Sequence, residues 1–241
     1  MKFFRQLFIC LSLFFSLVSE AGHDDRLKIV FFGDSITALW PTVDSVFAQR
    51  VPELLANQGI NCEPIIAGVG GSHSGTLADN DFAKVAHARD RFETDVLNRH
   101  PDVVVIGFGT NDAYIDGDDP NGQSRIALEK FEANLKFMIT ALQDRGILVI
   151  LRTPCPFAFP EERMYQDRRL YDYVKMVRGL SEQYNTGLSD NYKLFKDYAS
   201  KHNAYANLFP DGVHPNDEGH ALIAKSVAEE ILRHININTI D

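Results

Sequence analysis

Four apolar runs, separated by stretches whose apolar residues step by three and four, constrain this chain most. The runs are Leu27 to Phe32 (broken only by Lys28), Cys62 to Ala67, Val103 to Phe108 and Ile147 to Leu151. Nearly continuous runs of this kind belong to strands buried on both faces. Between them lie helical patterns. Val43, Val46, Phe47, Val51, Leu54 and Leu55 form the first, and Phe82, Val85, Ala86 and Val96 predict a weaker one. Leu128, Phe131, Leu135, Met138 and Leu142 predict a clean amphipathic helix. Another face carries Leu170, Tyr173, Val174, Val177, Leu180 and Tyr184, and a last one Ala224, Val227, Ala228, Ile231 and Ile235. A short fifth strand is read at Thr186 to Asp190. Alternating strands and helices imply right-handed crossovers and a parallel sheet covered on both faces. Pro64 lacks an N–H and predicts an edge or irregular strand for the second run. The chain has 241 residues and no linker-like stretch, which suits one α/β domain.

The N-terminus reads as a targeting segment. Lys2 and Arg5 are followed by the apolar stretch Leu7 to Val18 and then Ser19-Glu20-Ala21. A basic start, a short apolar core and small residues three apart are the pattern of a cleaved secretory signal. A bilayer span needs about 20 apolar residues, more than this stretch supplies. Residues 1–21 are therefore expected to be a signal peptide, with the folded domain in 22–241 and a secreted or periplasmic destination. Cleavage would remove Cys10 and leave Cys62 and Cys155. These two either form a disulfide or fill small buried positions; the second reading is preferred. The formal net charge of −9 argues against a nucleic-acid partner and against docking to anionic membranes.

In sheets of this type chemistry collects beyond the carboxyl ends of the strands. Gly33-Asp34-Ser35 follows the first strand and Gly68-Val69-Gly70-Gly71-Ser72 the second. Gly109-Thr110-Asn111-Asp112 follows the third, and Asp211-Gly212-Val213-His214-Pro215 precedes the last helix. Together they offer a hydroxyl, an imidazole, a carboxylate, an amide and unencumbered backbone N–H groups. Acyl transfer needs those parts. A serine hydroxyl requires a base, an imidazole accepts and returns the proton, a carboxylate fixes its tautomer, and N–H donors meet the oxyanion. Singly, each residue has a plainer use. Ser35 or Asp34 could cap a helix, Asn111 and Asp112 could hold a turn, and His214 could be a solvated loop histidine. Their joint order favours the catalytic reading.

These four blocks, in order from Gly33 to His214, resemble the SGNH hydrolases of the GDSL esterase/lipase family. The resemblance implies a three-layer αβα, flavodoxin-like fold with a five-stranded parallel sheet. It implies Ser35 as nucleophile, His214 as base and Asp211 as its orienter. It puts the oxyanion between the N–H of Ser35, the N–H of Gly71 and the side-chain amide of Asn111. Ile66 stands where the second block often begins with Asn, so Gly70 competes with Gly71.

Other motifs fail. The G-x-S-x-G elbow, the P-loop and the G-x-G-x-x-G fingerprint are absent. Asp116-Gly117-Asp118-Asp119 has Pro120 and Ala127 at ligand positions of an EF-hand loop and reads as a solvated acidic loop. No cofactor and no metal are expected. His220 is the rival base, although its place in the last helix favours a structural role. Trp40 either lines the pocket or packs beneath the first helix. The expected activity is carboxylic ester hydrolysis, with short acyl groups such as acetyl on a carbohydrate or another small-molecule ester as substrate. Lipase, lysophospholipase and thioesterase chemistry are the alternatives, and a non-catalytic carbohydrate-binding module is the alternative of another class.

Overall fold

The computed structural model describes residues 26–202 and 206–238. The expected signal segment, residues 1–21, lies outside the described residues. Five strands form one parallel sheet in the order β2-β1-β3-β4-β5. They are β1 Leu27–Gly33, β2 Cys62–Gly68, β3 Val103–Gly107, β4 Leu148–Arg152 and β5 Gly187–Ser189. Pro64 sits in β2, an edge strand, where a missing N–H costs least. The helices are α1 Phe47–Ala56, α2 Ala88–Asp95, the single turn α3 Thr110–Ala113, and α4 Leu128–Gln143. They continue with α5 Tyr165–Tyr184, α6 Asn191–His202 and α7 Asp217–Asn238.

Successive strand side chains face opposite ways, and the core divides accordingly. Ile29, Phe31, Val103, Val105 and Ile150 meet α1 and α7 through Phe47, Val51, Ile223, Val227 and Ile231. Val30, Phe32, Val104, Ile106 and Val149 meet α2, α4 and α5 through Phe92, Leu135, Met138, Val174 and Val177. This is the expected three-layer αβα arrangement. The strand order reverses between β1 and β3, which opens a crevice at their carboxyl ends.

Two expectations need correction. Phe82, Val85 and Ala86 do not belong to a helix; α2 starts only at Ala88. Side chains take the backbone donors there. Asp79 accepts from the N–H and Oγ1 of Thr76 (2.8 and 2.9 Å) and Asn80 from the Phe82 N–H (3.0 Å). Such local bonds compete with a helical ladder, and Lys84 turns the chain at φ +50°. The second is α6, which the apolar pattern did not announce. It starts where Asp190 Oδ1 accepts the Lys193 N–H (3.2 Å) and buries Phe195.

Cys62 and Cys155 are both free. Cys62 opens β2 at the amino end of the sheet, whereas Cys155 lies past the carboxyl end of β4. Among the described residues no helix is long and apolar enough to cross a membrane.

Candidate active site

Gly33 ends β1, and a Cβ there would strike Thr37 Oγ1 and, at 2.6 Å, the Gly107 carbonyl oxygen. The backbone then folds back at once. The Asp34 carbonyl accepts from the N–H groups of Thr37 and Ala38 (3.1 and 3.0 Å), and Asp34 Oδ1 accepts from Ile36 (3.0 Å). Asp34 is buried, which pushes its carboxyl above the usual range despite nearby Arg152. This tight turn puts Ser35 at the head of the crevice with its side chain turned toward the last loop.

That loop brings His214. Its Nε2 lies 2.8 Å from Ser35 Oγ, and its Nδ1 lies 2.6 Å from Asp211 Oδ2. An ionised carboxylate only accepts, so Nδ1 carries the proton and Nε2 presents a lone pair to the serine hydroxyl. Asp211 Oδ1 also accepts from the backbone N–H of Val213 and of His214 (2.9 and 2.7 Å). Partial burial pulls its carboxyl upward, but the bonds from His214 and Val213 prevail and hold it below the usual range. Trp40 stacks on the His214 ring, centroids 4.1 Å apart and planes 20° apart. It therefore lines the cleft, and it also packs against the apolar core beneath α1.

The facing wall carries Gly71 and Asn111. The Ser72 N–H donates to the Val69 carbonyl (3.1 Å) and Gly71 has φ +75°, the geometry of a type II turn with glycine at its third position. A Cβ on Gly71 would lie 2.6 Å from Ala83 Cβ. Asn111 Nδ2 donates to the Ser72 carbonyl (3.0 Å). Next to it Asp112, fully buried, accepts from the Ser74 N–H (2.9 Å) through Oδ1 and from the Gly109 N–H (3.0 Å) through Oδ2. Burial pushes this carboxyl up. One side chain thus ties the loop after β2 to the loop after β3. Beneath them Arg91 donates to the carbonyls of Ala67 and Gly33 (2.7 and 2.8 Å), fixing the ends of β2 and β1.

These walls enclose a cleft of about 330 Å³ whose lining includes Ser35, Trp40, Gly70, Gly71, Asn111 and His214. A wider hollow of about 1000 Å³ over residues 77–84 is more open and holds neither the serine nor the imidazole. All five residues singled out from the sequence, Ser35, Gly71, Asn111, Asp211 and His214, are drawn together at the sheet's carboxyl ends. Gly70 also lines the cleft. The rival base His220 is buried, and its Nδ1 accepts the Phe47 N–H (3.1 Å) at the start of α1. Burial, with Arg152 and Arg50 nearby, lowers its pKa to about 4. It is a neutral packing residue.

The sequence profile of the GDSL-like lipase/acylhydrolase family matches residues 31–222. The chain belongs to that family. By that membership it is a carboxylic ester hydrolase. It is 37% identical over 150 residues to the uncharacterized lipoprotein YqeF of Bacillus subtilis, an alignment covering 60% of this chain and 56% of the lipoprotein. It is 31% identical over 156 residues to an acetylxylan esterase of Geobacillus stearothermophilus, covering 61% of this chain and 67% of the relative. The crystal structure of the acetyl xylan esterase AlAXEase superposes with a TM-score of 0.67 at 30% identity, covering 84% of this chain and 98% of that one.

Sequence reasoning missed Arg125, Tyr114 and Phe157, which also line the cleft. No motif carries them. Asp112 lay within a recognised block, but its role as a tie between two loops depends on contacts with Ser74 that no spacing reveals.

Proposed function

We propose that the chain hydrolyses short acyl esters, acetyl groups on a carbohydrate in particular, through an acyl-enzyme on Ser35. The observation that carries this reading is the unbroken hydrogen-bond chain from Asp211 through His214 to Ser35, 2.6 and 2.8 Å, facing Gly71 and Asn111 across one cleft. In the first step Ser35 Oγ attacks the ester carbonyl carbon and its proton passes to His214 Nε2. The carbonyl oxygen becomes an oxyanion, met by the N–H of Ser35, the N–H of Gly71 and the amide of Asn111. Collapse breaks the C–O bond, and Nε2 returns the proton to the departing alcohol. Water repeats the sequence on the acyl-enzyme, which releases the carboxylic acid and restores Ser35. Asp211 holds the imidazole tautomer and stabilises the transient imidazolium.

Acetyl specificity is supported by the modest cleft volume and by the acetylxylan esterases among the relatives. Export is part of the same reading and rests on the basic, apolar and small-residue order of residues 1–21.

Two measurements test it. Treatment with a serine-reactive phosphonate is expected to label Ser35, and Ser35→Ala to lose activity by about 10⁴-fold or more while staying folded. An adduct on Ser72 or Ser74, with Ser35→Ala still active, overturns the assignment. Across p-nitrophenyl esters from acetate to palmitate, kcat/KM is expected to peak at acetate. A peak at octanoate or longer rejects the short-acyl reading in favour of a lipase.

A further inference from the structure

The segment between α3 and α4 leaves the cleft and comes back to it. An isolated antiparallel bridge joins Ile115 to Ser124, and the Arg125 N–H donates to the Tyr114 carbonyl (3.0 Å). This return places Arg125 in the cleft wall beside Asn111 with its side chain only 9% exposed. Nε donates to both oxygens of Asp116 (3.1 Å each) and Nη2 to Oδ1 (2.7 Å). The guanidinium carbon sits 3.8 Å from the Phe82 ring centroid and 4.5 Å from that of Tyr114. Nη1 donates to Asn111 Oδ1 at 3.4 Å.

The Asn111 amide has two orientations related by a half-turn. In this one Nδ2 donates to the Ser72 carbonyl (3.0 Å) and Oδ1 accepts from Arg125. After a half-turn Oδ1 would face the Ser72 carbonyl oxygen, and the NH₂ would face a guanidinium that cannot accept. Both contacts are then repulsive. We propose that Arg125 is a positioning residue of the reaction: it locks the Asn111 amide so that the second Nδ2–H stays available to the oxyanion. Asp116 and Phe82 hold Arg125 in place for this task. The inference rests on Asn111 as an oxyanion donor. It also accounts for Phe82, which remains 63% exposed on its loop while its ring lies against Arg125. Asp116 neutralises the charge of Arg125, so its contribution is orientation more than field.

The test is a double-mutant cycle read by steady-state kinetics on p-nitrophenyl acetate, with active enzyme counted by phosphonate titration. Arg125→Gln is expected to lower kcat about 10- to 100-fold at nearly constant KM, because a misplaced donor acts on the transition state. Arg125→Lys is expected not to restore it, since one ammonium cannot hold Asp116 in fork geometry and also reach Asn111. In the Asn111→Ala background Arg125→Gln is expected to cost nothing further. Additive losses in that background overturn the proposal, as does a loss that vanishes once rates are divided by titrated enzyme. Should Arg125→Gln fail to fold, Asp116→Asn and Phe82→Ala carry the same cycle, each expected to act only when Asn111 is present. Near-normal kcat in folded Asn111→Ala would instead remove the oxyanion reading itself, and this inference with it.

Discussion

Asp211 and His214 lie three residues apart on one loop, and the carboxylate that orients the imidazole also binds the backbone of that loop. Only Ser35 is brought from elsewhere. Across the cleft, Gly71 depends on a turn in which Ala83 leaves no room for a Cβ, and Asn111 depends on Ser72 and Arg125. Asp112 in turn ties Ser74 to Gly109. One wall is therefore local and made of a few short bonds; the other is shared among several segments. Damage to the first should be abrupt, and damage to the second graded.

The contrast meets its hardest test at Asp211. Asp211→Asn keeps the shape but offers the imidazole the wrong partner, so Nε2 no longer presents a lone pair to Ser35. A drop of about 10⁴ in kcat is expected, with the fold retained. A loss below tenfold would mean that the local wall does not depend on its shortest bond. Asn111→Ala should follow, lowering kcat by about 10² to 10³, roughly 2.7 to 4 kcal/mol, with KM and melting temperature little changed. Asn111→Asp should be at least as damaging, because a carboxylate repels the developing charge.

The smallest effect sharpens the comparison from outside the cleft. His220 belongs to the same C-terminal segment as His214 but is buried and neutral, as is His87 under the oxyanion loop. Burial lowers both to about 4 from an ordinary 6.5, with His73 adding to the effect at His87. Between those values the unfolded chain binds protons that the folded chain refuses. The contribution of these two histidines to stability is therefore full above about pH 6.5, declines as the pH falls toward 4, and flattens below, while the raised carboxyls of Asp34 and Asp112 act in the opposite sense. The difference in melting temperature between the wild type and His220→Asn should trace the His220 share of that decline, narrowing as the pH falls from 6.5 toward 4. A difference that stays constant would mean that this histidine is not held neutral.

Much of this was legible in the sequence. The strands announced themselves because a sheet covered on both faces needs unbroken apolar runs, and Pro64 marked the edge. Ser35, Asp211 and His214 were legible because each sits in a short loop with its partner or its glycine adjacent. The start of α2 was not legible, since the apolar residues before it are held in turns by Asp79 and Asn80. Nor was α6, where Tyr192 and Phe195 are the buried apolar residues and make no helical repeat. Arg125 was invisible for a deeper reason. Asp116 looked like part of a solvated acidic loop, and only the pairing of Ile115 with Ser124 turns that loop back so that Asp116 can grip an arginine beside Asn111.

The stacking of Trp40 on His214 has an optical consequence. The sequence contains a single tryptophan, so all indole emission comes from that one ring. That ring lines the same cleft as Ser35 and touches the base directly, so a group attached to Ser35 changes its surroundings. Emission from the unlabelled protein should therefore shift as a serine-reactive phosphonate fills the cleft, and its time course should match the loss of esterase activity.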